Sequence, residues 1–198
     1  MIDAIRKRRS IRKYKSRRLA DNKVRQIIEA GRYAPSSHNS QPWRFIVITD
    51  KKEIKRLSHK IKSWFRARIL LASAVAPFYK KLRKLIASSK KRIDTDKDLF
   101  FYGAPCLVLI CAKPGRFADQ DCALAAQNMM LEAYSLGIGS CWIGFADVVL
   151  NTKKKVMDDL KVPKDMKIMA SLVFGYPKKF PGHAYPRSDE AKIINWVK

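Results

Sequence analysis

The hydrophobic positions of this chain change period several times, and the changes mark its elements. Cys106-Leu107-Val108-Leu109-Ile110-Cys111-Ala112 is short and apolar throughout, so it predicts a strand. Arg44–Thr49 and Ile168–Phe174 are likewise short and rich in β-branched residues, and Ser140–Phe145 predicts a fourth, shorter strand. Helical spacing takes over elsewhere. Val24, Ile27, Ile28 and Ala30 predict a helix over Asn22–Tyr33, capped by Asp21 and stopped by Pro35. Met1–Lys7, Lys51–Lys60 (capped by Asp50) and Thr152–Leu160 predict shorter helices. The least regular stretch predicts two helices, Ile61–Ala76 and Phe78–Ser88, split by Pro77, as an excursion that covers a pocket. Leu99–Pro105 reads as an aromatic turn.

One helix stands apart. From Asp119 or Asp121 to Leu136 the apolar residues lie nearly all round it, and Gly137 ends it. Such a helix is buried, in a subunit interface as well as in a monomer core. The tail Lys178–Lys198 is polar but ends in Ile193-Ile194-Asn195-Trp196-Val197, an apolar end expected to pack on something. The sum is one α+β domain over residues 1–198, roughly four strands with helices around them, with a basic helical excursion at about 58–97.

Composition adds bounds. A chain of 198 residues, 47% hydrophobic, buries a substantial core. No apolar run approaches the ~20 residues of a membrane span, and Met1–Lys7 has no apolar core of signal-peptide length. A soluble cytoplasmic protein is expected. The four cysteines, Cys106, Cys111, Cys122 and Cys141, form no Cys-x-x-Cys pair and read as small core residues. No metal site is expected.

The formal charge is +25, which attracts anions of any kind. Its distribution is uneven. Lys51 to Lys97 holds 16 Lys and Arg against three acids, a local +13, whereas Phe117–Thr152 holds no Lys or Arg. Burial is the simplest reason for that gap. The basic stretch allows a nucleic-acid or anionic-surface binder as a lesser reading, but it carries no recognition helix, zinc finger or stacking-sheet motif.

Three segments carry candidate chemistry. Arg8-Arg9-Ser10-Ile11-Arg12 gathers cationic and hydroxyl donors suited to a phosphate. Pro35–Trp43 offers Ser36, Ser37, Asn39 and Gln41 in a loop stiffened by Pro35 and Pro42, longer than a helix-to-strand connection needs. Its groups match the hydroxyls and imide edge of a flavin. Gly137-Ile138-Gly139-Ser140-Cys141-Trp142-Ile143-Gly144 allows close backbone approach to a planar ring. It is no Rossmann fingerprint, because the helix precedes the glycines. Lys178, Lys179 and Arg187 in the tail could complete an anion site. His38 reads as a loop histidine, and no general acid or base stands out.

Together these motifs resemble the nitroreductase family of FMN-dependent oxidoreductases. Arg8–Tyr14 is similar to its N-terminal phosphate signature, and Ala34–Phe45 to its Ala-Pro-Ser-Ser-x-Asn-x-Gln-Pro-Trp-x-Phe signature. Gly103-Ala104-Pro105, Ala125–Asn128, the glycine turn and Gly175-Tyr176-Pro177 recur in it in the same order. The resemblance implies an α/β sandwich with a mainly antiparallel central sheet flanked by helices. It also implies an intertwined homodimer with two FMN sites at the interface and tails that wrap the partner. Arg8, Arg9 and Ser10, with Arg187, would hold the phosphate side, and Arg12 the N1/C2-carbonyl edge. Pro35, Ser36, Ser37, Asn39 and Gln41 would come from the other subunit, while Ile143 and Gly144 would lie over the ring near N5. The implied activity is hydride transfer from NADH or NADPH through the flavin to an electron-poor acceptor such as a nitroaromatic or quinone, by ping-pong kinetics. The alternative is a dedicated reaction, such as reductive dehalogenation or a biosynthetic dehydrogenation.

Overall fold

The computed structural model describes residues 1–75, 93, 95, 98–182 and 193–197. Its frame is a four-stranded sheet of order β1-β2-β4-β3, with β1 Arg44–Ile48, β2 Cys106–Ala112, β3 Gly139–Trp142 and β4 Lys167–Gly175. All three pairings are antiparallel, with Phe45 opposite Ile110, Val108 opposite Leu172, and Ser140 opposite Phe174. β2 and β4 are the middle strands, and every residue of β2 is buried.

Period-two alternation divides the core into two layers. Leu107, Leu109 and Cys111 point to one face, where they meet Ile54, Leu57 and Ile61 of α3 (Lys51–Val75). Ala146, Val149 and Leu150 of α5 (Gly144–Leu150) and Val156 of α6 (Lys154–Asp159) join that layer. Cys106, Val108 and Ile110 point to the other face, onto Val24 and Ile27 of α2 (Asp21–Arg32) and a stripe of α4 (Ala118–Ser135). Helices on both faces explain why β2 is an unbroken apolar run. α4 buries Cys122, Ala125, Ala126, Met129 and Ala133, so the missing cations are accounted for by burial. All four cysteines are free and buried.

Several boundaries differ from the sequence expectation. Asp21 is the first residue of α2 rather than its cap; its carboxylate pairs with Arg18 at 2.9 Å. Asp50 does cap α3, accepting from Lys52 N at 2.9 Å, but the helix continues through the expected break to Val75. The expected second helix, Phe78–Ser88, lies outside the described residues. The fourth strand stops at Trp142, and Gly144–Leu150 is helical. Among the described residues no helix is long and apolar enough to cross a membrane.

Candidate functional site

The basic clump follows a single helical turn and a half, α1 (Asp3–Lys7). Arg8 closes that helix, its N–H donating to Ala4 O at 3.0 Å, and the chain leaves in extended conformation. Ser10 forms a parallel bridge with Ser140, and Ile11 N donates to Ser140 O at 2.9 Å. The segment thus lies along the outer side of β3. Ile11 is its anchor: it is buried and rests on Gly139, where a Cβ would come within 2.7 Å of Ile11 Cγ1. Tyr14 adds a second clasp, its hydroxyl donating to Ile11 O at 2.6 Å.

This placement joins two of the three candidate segments. Burial pushes the Cys141 thiol of β3 up, while the charge of Arg12, a hydrogen bond from Ser10 and the charge of Arg8 pull the other way. Arg8, Ser10 and Arg12 therefore all stand beside the glycine turn. Arg9 is fixed differently. Its Nη1 donates to Arg6 O at 2.7 Å and Arg8 O at 2.8 Å, and its Nε is buried without a partner. The Ser140 hydroxyl is likewise buried and unpartnered. Unsatisfied buried donors beside a cationic cluster suit an anionic, hydroxyl-bearing ligand.

The turn itself is resolved residue by residue. Ile143 N donates to Ser171 O at 2.8 Å, and the Ile143 side chain is core. Gly144, exposed and first in α5, has an N–H with no intrahelical acceptor. Of the pair expected to face a ring, Gly144 is the one with a donor to spare.

Beside Gly144 stands an aromatic wall that the sequence reading missed. Phe145 meets Phe65 edge-on at 5.6 Å, Phe65 stacks on Phe100 at 5.5 Å, and Trp64 meets Phe65 at 5.0 Å. Arg68 lies 3.6 Å over the Trp64 ring. The signal was present as adjacent aromatics in a basic helix, but only the fold shows that they converge on Gly144.

The third segment is elsewhere. Pro35, Ser36, Ser37, Asn39 and Gln41 lead into β1, the opposite edge of the sheet from β3. Ser36 Oγ accepts from Gln41 N at 3.0 Å, Gln41 Nε2 donates to Asn39 Oδ1 at 3.0 Å, and Ser37 N donates to the buried Asp121 at 3.1 Å. Asp121, noted in the sequence only as a helix start, is thus the loop's anchor. His38, Asn39 and Gln41 have φ of 53°, 52° and 42°. Left-handed residues at this density store strain, which clusters at functional sites. Buried Trp43 pins the far end of the loop.

Register gives the separation. Arg44 is opposite Cys111, Cys111 opposite Ile168, and Ser140 opposite Phe174. Three strand spacings are about 14 Å, and the run from Ile168 to Phe174 adds about 20 Å along the strands. The loop and the clump are therefore about 25 Å apart in one chain. The structure brings Arg8, Arg9, Ser10, Arg12, Ile143 and Gly144 together, and leaves Pro35 to Gln41 apart. Arg187 lies outside the described residues.

Comparison with known proteins gives the family. The sequence profile of the Nitroreductase family matches residues 5–176. A protein of Archaeoglobus fulgidus, provisionally named NADH dehydrogenase/NAD(P)H nitroreductase, is 29% identical over 171 residues, 86% of this chain and 82% of that one. The nitrobenzene nitroreductase of Ectopseudomonas oleovorans is 26% identical, covering 88% and 85% of the two chains. The crystal structure of a Bacteroides fragilis nitroreductase with bound FMN superposes with a TM-score of 0.73 at 29% identity, covering 99% of this chain and 97% of that one. The chain belongs to the Nitroreductase family.

Proposed function

We propose that this protein is an FMN-dependent oxidoreductase that moves hydride from NADH or NADPH to an electron-poor small molecule such as a nitroaromatic or quinone. The observation that carries the reading is the joining of the arginine clump to the Gly139–Gly144 turn at the β3 edge, with Arg9 Nε and Ser140 Oγ buried and unpartnered there. These groups fit FMN, an anionic phosphate at one end and a flat ring at the other. When bound, the flavin supplies reversible hydride acceptance at N5.

The chain's own residues supply the rest. Arg8, Arg9 and Ser10 would hold the phosphate side, and Arg187, outside the described residues, would be expected to join them. Arg12 would lie on the ring's carbonyl edge and stabilise negative charge there. Gly144 N–H would be available to donate to the ring. Phe145 and the wall behind it exclude water from the open face, where donor and acceptor bind in turn; ping-pong kinetics follow. No side-chain acid or base is required.

The loop Pro35–Gln41 reaches this site from a second copy of the chain. Three features support a homodimer. The loop is too far from the clump to serve it in cis. Among the described residues β1 is a free edge, flanked by a groove of about 1330 Å³ lined by Tyr33, Phe45 and Val47 among others. The tail leaves Ile194 and Trp196 bare in the single chain. A partner's tail covering that edge would remove both exposures. Free, buried thiols suit a reducing cytoplasm. Purified protein should be yellow, and replacing Arg8 and Arg12 together with alanine should abolish flavin retention. Full flavin content in that variant overturns the reading.

A further inference from the structure

A second concave site lies along the first half of α3. A cavity of about 210 Å³ is lined by Lys51, Lys55, His59, Lys62, Asp98 and Phe100, among others. Among the described residues its charge is not balanced. Asp98 is consumed by its own turn: its carboxylate accepts from Ser58 Oγ at 2.6 Å, Phe101 N at 2.9 Å, Gly103 N at 3.0 Å and Phe100 N at 3.1 Å. Lys62 donates to Thr95 O and Lys51 to Ser16 O, both neutral carbonyls. Lys55 and His59 have no hydrogen bond or ion pair among the described residues.

The arrangement is not simply overall charge. Lys51, Lys55 and His59 stand four apart, a column of like character that destabilises a helix wherever it is charged. The neighbouring face of the same helix is paired: Arg56 holds Glu53 at 2.7 Å and Asp159 at 2.9 Å. Among the described residues, acids are placed on Arg56 and none on the lysine column. An unpaired lysine column in a cleft is what a multiply charged anion requires, with lysines acting as point charges on a phosphate.

The cleft adjoins the aromatic wall beside the proposed flavin site. Phe100 lines the cavity and stacks on Phe65, which touches Phe145 beside Gly144. At 1.5 Å per residue, Lys62 is about 5 Å and Lys55 about 15 Å from Phe65 along α3. A dinucleotide with its nicotinamide at Gly144 could lay its adenosine end along this helix. The cavity holds a phosphate group but not a whole nucleotide.

Building on the function proposed above, we infer that the Lys51–Lys55–Lys62 cleft binds the phosphomonoester on the adenosine ribose of NADPH and so selects the phosphorylated reductant. The test is calorimetric titration of the purified flavoprotein with adenosine 2′,5′-bisphosphate and with 5′-AMP. The bisphosphate should bind at least about tenfold tighter, and Lys55→Gln should remove about tenfold of that, the worth of one charge-assisted hydrogen bond. Lys55→Glu should abolish the preference. Lys52→Gln removes the same charge from the same helix outside the cleft and should leave the preference intact. Equal affinity for the two nucleotides overturns the inference. So does a preference unchanged in Lys55→Gln, or one lost equally in Lys52→Gln, which would mark a diffuse field. In a protein that takes up FMN, these results fail the inference alone. Selective nucleotide binding by a protein that takes up no FMN overturns both the flavoenzyme reading and the assignment to a reductant.

Discussion

The seat of Ile11 on Gly139 makes one substitution unusually informative. In Gly139→Ala the new methyl would lie 2.7 Å from Ile11 Cγ1, 2.9 Å from its Cβ and 3.0 Å from its Cγ2. Ile11 cannot swing aside, because a β-branched side chain is stiff at χ1. Its backbone is also held on both sides, by Ser140 O and by the Tyr14 hydroxyl. The strand carrying Ser10 and Arg12 must therefore shift off β3. Overpacking of this kind costs about 1–3 kcal/mol. At roughly 2–4 °C per kcal/mol for a domain of this size, Tm should fall by about 2–12 °C. Gly31→Ala is the matched control. Its methyl meets Met129 Cγ at an equal 2.7 Å, but a thioether chain can rotate away. Replacing a helical glycine also recovers up to about 1 kcal/mol, so this variant should be near neutral. Urea unfolding and flavin absorbance, measured on both, should show Gly139→Ala losing stability and flavin together. Equal unfolding midpoints for the two variants refute the reasoning.

Asp98→Ala strips four donors of their common acceptor, Ser58 Oγ and the amides of Phe100, Phe101 and Gly103. It should cost about 2–3 kcal/mol by urea unfolding; a loss below ~0.5 kcal/mol would mean that water replaces the carboxylate. Burial pushes the Cys106 thiol up to about 12, Cys111 to about 11 and, with the nearby Asp121 and Asp119 charges adding, Cys122 to about 12. The folded state keeps these thiols protonated while the unfolded chain ionises from about 8.5. Their contribution is therefore complete below that pH and is lost as pH rises toward about 11–12. Urea midpoints should hold steady to about pH 8.5 and fall above it, and alanine at all three positions should flatten that fall.

Much of this protein is legible in its sequence, for definite reasons. β2 is bounded correctly because a strand under helices on both faces must be apolar at every position. The burial of α4 shows in its missing cations, and the arginine clump and the glycine turn show as donors and as small residues. What stayed hidden depends on partners distant in sequence. Ser140–Phe145 read as one strand because Ile143 still donates to β4, although helix geometry begins one residue later. The spacing of Ala146, Val149 and Leu150 was the missed signal. α3 reads as two helices, Lys51–Lys60 and Ile61–Ala76, because its second half mixes Trp64 and Phe65 with Arg66 and Arg68. Their convergence with Phe100 and Phe145 arises only in three dimensions. The role of Asp121 in holding Ser37 crosses from the loop to a helix far along the chain.

The central claim is that one flavin needs the clump of one chain and the loop of another. Co-expression of two defective variants tests it directly. One carries Arg8→Ala with Arg12→Ala; the other carries Ser37→Ala with Asn39→Ala. Each homodimer should retain no flavin. A mixed dimer contains one site with both elements intact and one with both broken, so it should recover half the wild-type flavin, as two-fold symmetry requires. Mixed dimers that stay colourless, although both variants fold and associate, would show that the two segments serve the flavin from the same chain and would contradict the account.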